Sequence, residues 1–273
     1  MESNRKGIGE RNRTLLDKLH RQAKAPITPA SAATILSLDL PRARRILAYL
    51  AARGWLSRIR QGLYGLVPLG ADVPSEWRED PWVIVASVFS PCYIGGWSAA
   101  EHWHLTEQMF RDIVVITASV IRSRRLAIQG TPFLLKHTVV EKHFGLKPVW
   151  HGSVKVMVSD PTRTVVDILD DPRLGGGIRN VAEILATYFK SEYHSDVQLL
   201  EYADRFGNRA VFKRLGYLSE TLGLGSSRLV TRCLARKSAG LSKLDPSVRQ
   251  SGHVVKRWNL RVNATIRSAE DDE

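Results

Sequence analysis

Residues 40–67, LPRARRILAYLAARGWLSRIRQGLYGLV, constrain the fold more than any other part of the chain. Ala43, Ile46, Leu47 and Leu50 recur at i, i+3, i+4 and i+7, the spacing of a helix with one apolar stripe against a core. Arg44, Arg45, Ala48 and Ala52 fall on the opposite face, with Arg42 and Tyr49 on its flank. Gly54 follows as a C-terminal cap residue, since glycine turns left-handed without a Cβ clash. Residues 55–60 and 63–67 read as strands joined at Gln61-Gly62, with Arg58 and Arg60 beside the turn. A helix running into a basic hairpin has the order of a recognition helix and wing in a winged helix-turn-helix.

The preceding residues fit the same unit. Leu15, Leu16 and Leu19 give a first helix a narrow apolar stripe. Thr28 and Pro29 open a second helix as N-cap and first helical residue, and Ala32, Ala33, Ile35 and Leu36 continue it. Asp39 is the expected cap of the third helix. Arg42, Arg44, Arg45, Ala48 and Tyr49 then become candidate DNA contacts. Guanidinium groups fork onto guanine edges or phosphates, and alanine lets the helix approach thymine methyls. Arg58, Arg60 and Gln61 are the candidate wing contacts to phosphates. A small α+β unit with solvated arginines is the plainer alternative; the order of the elements and the wing arginines favour DNA.

Charge supports that choice by its location. The chain carries 40 Lys and Arg against 27 Asp and Glu, a net charge of +13. Residues 1–70 hold 13 of the basic residues and 4 of the acids, so most of the excess sits on the first quarter. No apolar run approaches the ~20 residues of a spanning helix, and the N-terminus lacks the apolar stretch of a secretory signal. A cytoplasmic protein with no membrane partner is expected. Cys92 and Cys233 are the only cysteines, which fits a reducing compartment and argues against a cysteine-based zinc site.

A chain of 273 residues exceeds one winged-helix unit of about 70, so a further domain is expected. The expected class is α+β: a winged helix-turn-helix over 11–67, a proline-containing linker over 68–80, and a mixed α/β, largely helical C-terminal domain over 81–265. Residues 1–10 and 266–273 are expected to be disordered tails. In the C-terminal domain, 81–89 reads as an apolar helix, and 112–117, 132–136 and 154–158 read as β-branched strands. Asp160 and Pro161 start a helix, helices follow near 178–189, 196–206, 208–222 and 226–237, and a closing strand is expected near 255–262.

Catalytic signatures are weak. Gly96-Trp97-Ser98-Ala99-Ala100 resembles a nucleophile elbow, but Ala100 stands where the last glycine belongs, and Ser98 with Glu101 reads better as a capping box. His102, His104, His137, His143 and His151 show no metal-ligand spacing, and His102 and His104 are expected to pack near Trp97 and Trp103. A restriction-type nuclease needs Asp/Glu-x-Lys beside a further Asp; Asp112 heads a strand, but no lysine follows an acid at that spacing, the nearest segment being Ser153-Val154-Lys155. Leu174-Gly175-Gly176-Gly177 lacks a phosphate-loop frame and reads as a turn before the helix at Ile178. No catalytic residue, metal or cofactor is assigned, and the chain is not expected to be an enzyme. A DNA-targeted nuclease or hydrolase in the C-terminal domain is the alternative. Arg228, Arg232 and Arg236 recur at helical spacing with Lys237 beside the last, either as a solvated face or as a second basic contact.

Five segments occur in an order that resembles the AbiEi family: RGWLSRIRQGLY at 53–64, GWSAAEHWHLTEQ at 96–108, SDPTRTVVDIL at 159–169, KRLGYL at 213–218 and KRWNLRVN at 256–263. AbiEi proteins are antitoxins of type IV toxin–antitoxin modules linked to phage abortive infection. The resemblance implies a winged-helix repressor that binds inverted repeats of double-stranded operator DNA in its own promoter. It also implies a larger C-terminal domain needed for antitoxin action, and a nucleotidyltransferase-like toxin from the same operon, with or without direct contact. A monomer in solution that binds DNA in pairs is expected. Carried onto this chain, base or phosphate contacts fall on Arg42, Arg44, Arg45 and Tyr49, and wing contacts on Arg58, Arg60 and Gln61.

Overall fold

A computed structural model describes residues 8–23, 26–68, 70–71 and 76–266. Residues 1–7 and 267–273 of the tails expected at 1–10 and 266–273, and residues 69 and 72–75 of the expected linker, lie outside the described residues. Glu10, placed in the N-terminal tail by the sequence, already opens a helix.

Three helices come first: α1 (Glu10–Gln22), α2 (Pro29–Leu36) and α3 (Leu40–Ala52). The caps explain two of the starts. Thr28 Oγ1 accepts the Ser31 N–H at 3.1 Å while Ser31 Oγ accepts the Thr28 N–H at 2.9 Å, a closed capping box. Asp39 Oδ1 accepts the Arg42 N–H at 2.7 Å. Each such cap contributes about 1 kcal/mol. Ser37 takes a left-handed conformation, φ 53°, at the turn between α2 and α3.

Strands β1 (Leu56–Arg60) and β2 (Leu63–Leu66) form the expected antiparallel hairpin. It turns at Gln61-Gly62, where Gly62 has φ 73°. Ile27 pairs with Tyr64 through two backbone hydrogen bonds of 2.7 and 2.9 Å, an isolated antiparallel bridge beside the two-stranded hairpin. Leu19, Ala32, Ala43, Leu47, Leu50 and Tyr64 are buried together in one core. These elements make a winged helix-turn-helix, as the sequence led one to expect.

After α4 (Pro81–Val88) come β3 (Cys92–Ile94), α5 (Gly96–His102), β4 (Ile113–Thr117), β5 (Arg125–Ile128), β6 (Thr131–His137), β7 (Leu146–His151) and β8 (Val154–Ser159). The six strands order as β5-β6-β4-β3-β8-β7, with β3 antiparallel to β4 and parallel to β8. Helices α6 (Pro161–Asp170), α7 (Ile178–Lys190), α8 (Asp196–Phe206), α9 (Ala210–Thr221) and α10 (Ser227–Arg236) follow. Strands β9 (Ser242–Lys243), β10 (His253–Val255) and β11 (Leu260–Val262) form a small sheet ordered β10-β11-β9. The class is α+β. The closing strand expected near 255–262 is instead two short antiparallel strands, because a 3-10 turn at Lys256–Trp258 and a left-handed Asn259 reverse the chain.

The capping box expected at Ser98 and Glu101 is not formed. Gly95 is the N-cap of α5, so Ser98 lies inside the helix, and its Oγ accepts the Val114 N–H at 3.0 Å. The backbone near the start of β4, not the helix end, uses that hydroxyl.

By contacts the chain forms two compact units, and they do not follow the expected cut at residue 80. The first comprises 1–90, 125–133 and 149–156, and the second 91–124, 134–148 and 157–273. The reason lies in side chains of the first unit. Ser57 Oγ donates to the Trp77 carbonyl at 3.2 Å, and the Gln129 side chain donates to Ser57 Oγ at 2.8 Å and accepts the Glu79 N–H at 2.9 Å. Asp80 caps α4 through the Trp82 N–H at 2.7 Å and also holds His151 Nδ1 at 2.7 Å. Residues 76–80 are therefore built in and do not act as a free linker.

Burial pushes both thiols, Cys92 and Cys233, up to about 12. A thiolate is the reactive form, so neither cysteine should react with a disulfide-exchange reagent near about pH 8 until the protein is unfolded. Rapid labelling of either under native conditions would contradict this packing.

Candidate nucleic-acid interface

Helix α3 divides as its spacing demands. Ala43, Leu47 and Leu50 are fully buried, whereas Arg42, Arg44, Arg45 and Ala48 are exposed and Tyr49 is half-buried. Ile46, expected on the buried stripe, is only half-buried, because it borders a cleft described below. On the hairpin, Arg58, Arg60 and Gln61 are exposed while Ile59 points inward at 6% exposure.

The arginines differ in what restrains them. Arg42 pairs with Asp39, Nε to Oδ2 at 3.4 Å, on the open first turn of α3. Such an exposed pair contributes little stability and is screened by salt. Arg44, Arg45, Arg58 and Arg60 have no carboxylate partner among the described residues. Arg53 lies over the Tyr49 ring at 5.2 Å, which steadies that ring at the edge of the exposed face. Unpaired guanidinium groups on a helix anchored from behind can reach phosphates and base edges without first breaking an ion pair.

Helices α1 and α3 border a cleft of about 380 Å³ lined by Arg11, Asn12, Leu15, Leu38, Arg42, Arg45, Ile46 and Tyr49. Three arginines line it and no acidic side chain does. Sequence reasoning missed Arg11 and Asn12. The available signal was the four-residue step from Arg11 to Leu15, which puts both on one helix face.

The second basic stripe is shortened. Arg228 and Arg232 are exposed, but Arg236 Nε is held by Asp204 Oδ2 at 2.7 Å, and Arg236 and Lys237 are half-buried at the end of α10. Two arginines, not four cationic side chains, stay open on that face.

The second unit contains a fully buried charge cluster. Arg163, 0% exposed, donates from Nε to Asp167 at 3.0 Å, from Nη2 to the Tyr93 hydroxyl at 2.7 Å, and from Nη1 to the carbonyls of Lys142 and Phe144 at 2.7 and 3.2 Å. The Phe144 ring lies 4.2 Å from its guanidinium. Burial works against the Arg163 charge, but Asp167 and Tyr93 outweigh it and hold the proton more firmly than water does. Burial also pushes the Tyr93 hydroxyl well up, so it remains a neutral donor. This cluster reaches no solvent and joins α6 to β3 and to the segment before β7.

A larger cavity in the second unit, about 970 Å³, has Arg179, Tyr217, Asp245, Arg249 and His253 among its walls. Its buried acid is committed: Asp245 accepts the Ile178 N–H at 2.9 Å and the Ser247 N–H at 2.8 Å. The glycine run before Ile178 is a turn: Gly175 ends a 3-10 helix, Gly176 is left-handed at φ 82°, and Gly177 is the N-cap of α7. The histidines are dispersed: His102 packs on Trp103 at 4.6 Å, His143 on Tyr93 at 5.1 Å and His151 on Trp82 at 4.7 Å. Among the described residues no group of three or more His, Cys, Asp or Glu is placed to hold a metal ion.

Fold and surface together define a winged-helix α+β protein. Neither a family model nor a curated protein matches the chain. Among solved structures it is similar to the crystal structure of the RV2827C protein from Mycobacterium tuberculosis, with a TM-score of 0.64 and 16% identity over 94% of this chain and 93% of that one. At that identity the likeness speaks for the fold alone. No helix of the described residues is long and apolar enough to cross a membrane.

Proposed function

We propose that this protein is a DNA-binding transcriptional repressor and antitoxin, acting in the cytoplasm on inverted repeats in the promoter of its own operon. The observation that carries the DNA-binding part is the state of Arg44 and Arg45: exposed, free of carboxylate partners among the described residues, and mounted on a helix whose other face is buried. Arg58 and Arg60 on the wing add cationic groups that suit phosphate contacts. The antitoxin part rests on the resemblance of the five ordered segments to AbiEi proteins, and the partner it implies is a nucleotidyltransferase-like toxin. The protein is a monomer that binds its operator in pairs, and it is not an enzyme.

The test is binding of purified full-length protein to the duplex upstream of its own gene, against a scrambled duplex, at about 0.15 M salt. A specific repressor prefers its site by at least about a thousandfold. Equal affinity for both duplexes would end the repressor reading. Plasmid incubated in parallel with Mg²⁺ or Mn²⁺ should stay intact; cleavage would move the function to the nuclease alternative. Co-expression with the adjacent gene tests antitoxin action separately.

A further inference from the structure

We infer that the cleft between α1 and α3 is a phosphate-binding site that seats one backbone phosphodiester of the bound duplex, with Arg11 and Asn12 as its outer wall. The inference rests on the DNA-binding reading and extends it to a helix that neither the residue spacing nor the family resemblance assigned to DNA.

The chemistry of the lining selects the ligand. Arg11 comes from α1, and Arg42 and Arg45 from the start of α3, so three guanidinium groups border one small volume. No carboxylate shares the lining, and Arg11 and Arg45 have no acidic partner among the described residues. Arg42 is already paired with Asp39, but Arg11 and Arg45 border the cleft without a carboxylate partner among the described residues; their like charges repel one another, and an anion relieves that repulsion. Asn12 adds an amide donor, and Tyr49 adds a hydroxyl and a ring face. Leu15, Leu38 and Ile46, all half-buried, supply apolar walls against which a sugar can rest.

The duplex is the better source of that phosphate than a free anion. Arg45 belongs both to the cleft and to the exposed face of α3, so an anion held there lies beside the groups proposed to reach the bases. Phosphates flank every base edge that a recognition helix reads, and contacts to them set register without reading sequence. Arg11 is therefore a positioning contact: it should change affinity and salt dependence and leave base preference alone.

The experiment compares full-length protein with Arg11→Ala, Asn12→Ala and the Arg44→Ala/Arg45→Ala pair by fluorescence anisotropy on operator and scrambled duplexes over a salt series. Thermal melting serves as the folding control; Arg11 is exposed, so melting should not change. For Arg11→Ala the expected result is a loss of about fivefold on both duplexes at about 0.15 M salt, with the salt slope reduced by about one. Normal binding and slope in Arg11→Ala, beside weakened binding in the Arg44/Arg45 pair, overturns the cleft assignment and leaves the DNA reading standing. Normal binding in every variant removes the cleft and α3 from the interface and so overturns the cleft assignment, whereas failure of the wild type to bind either duplex overturns the DNA reading itself. A competition arm with inorganic pyrophosphate separates the two phosphate sources. Displacement of duplex from the wild type at micromolar pyrophosphate, abolished in Arg11→Ala, would assign the cleft to a free phosphate ligand and overturn the phosphodiester assignment.

Discussion

Replacing Arg44 and Arg45 together by alanine is expected to weaken operator binding by about 2–6 kcal/mol, from about 1–3 kcal/mol for each good base contact. At 1.4 kcal/mol per decade, the lower end is already about a thirtyfold loss. Folding should be spared. Both side chains are exposed, neither holds an ion pair among the described residues, and alanine is the best helix former. The Leu47 and Leu50 anchors of α3 lie on its opposite face and are untouched. Arg42→Ala should cost less, since Asp39 already competes for that guanidinium at 3.4 Å. Gel shifts and thermal melts on the same preparations decide the matter. An unchanged dissociation constant in the double variant would remove α3 from the interface.

The largest effect on stability is expected in the second unit, where Asp167→Ala strips Arg163 of its counter-charge. Both residues are buried, at 2% and 0% exposure, so water cannot replace the lost carboxylate. Breaking a buried pair from one side costs about 3–5 kcal/mol, against a total stability of about 5–15 kcal/mol for a typical domain. Tyr93→Phe, which removes the 2.7 Å hydrogen bond from Arg163 and the hydroxyl's 3.2 Å contacts to the Asp167 carboxylate but leaves the ion pair, should cost about 1–3 kcal/mol. Urea melts of the two variants should therefore differ clearly in midpoint. A wild-type midpoint for Asp167→Ala would mean that the pair carries no stability.

The parts legible in the sequence are those governed by neighbours within a few residues. The stripe Ala43, Leu47 and Leu50, the caps Thr28, Asp39 and Asp160, and the Gln61-Gly62 turn all follow from local backbone geometry, and each sits where the spacing put it. The errors came where a local pattern competed with a distant partner. Ser98 has the spacing of a helix cap, yet the Val114 N–H, far along the chain, takes its oxygen. Arg236 has the spacing of a free cationic face, yet Asp204 on another helix holds it. Arg163 and Asp167, which the sequence did not single out, have the four-residue step of an ordinary surface pair on α6, and only their enclosure by Tyr93 of β3 with Phe144 and Phe206 makes them a core charge cluster.

By itself, then, the amino-acid order determined that the chain opens with a winged helix-turn-helix whose third helix is apolar on one side and cationic on the other. Helical and strand periodicity, caps and turns act over spans of about four residues, and they can be read without knowing the rest of the chain. The tertiary structure alone decided that Arg11 joins Arg42 and Arg45 around one cleft, and that residues 76–80 are tied to Ser57, Gln129 and His151. It also decided which of the cationic side chains remain open to solvent. Those outcomes depend on which surfaces meet across long stretches of chain, and no local spacing encodes that meeting.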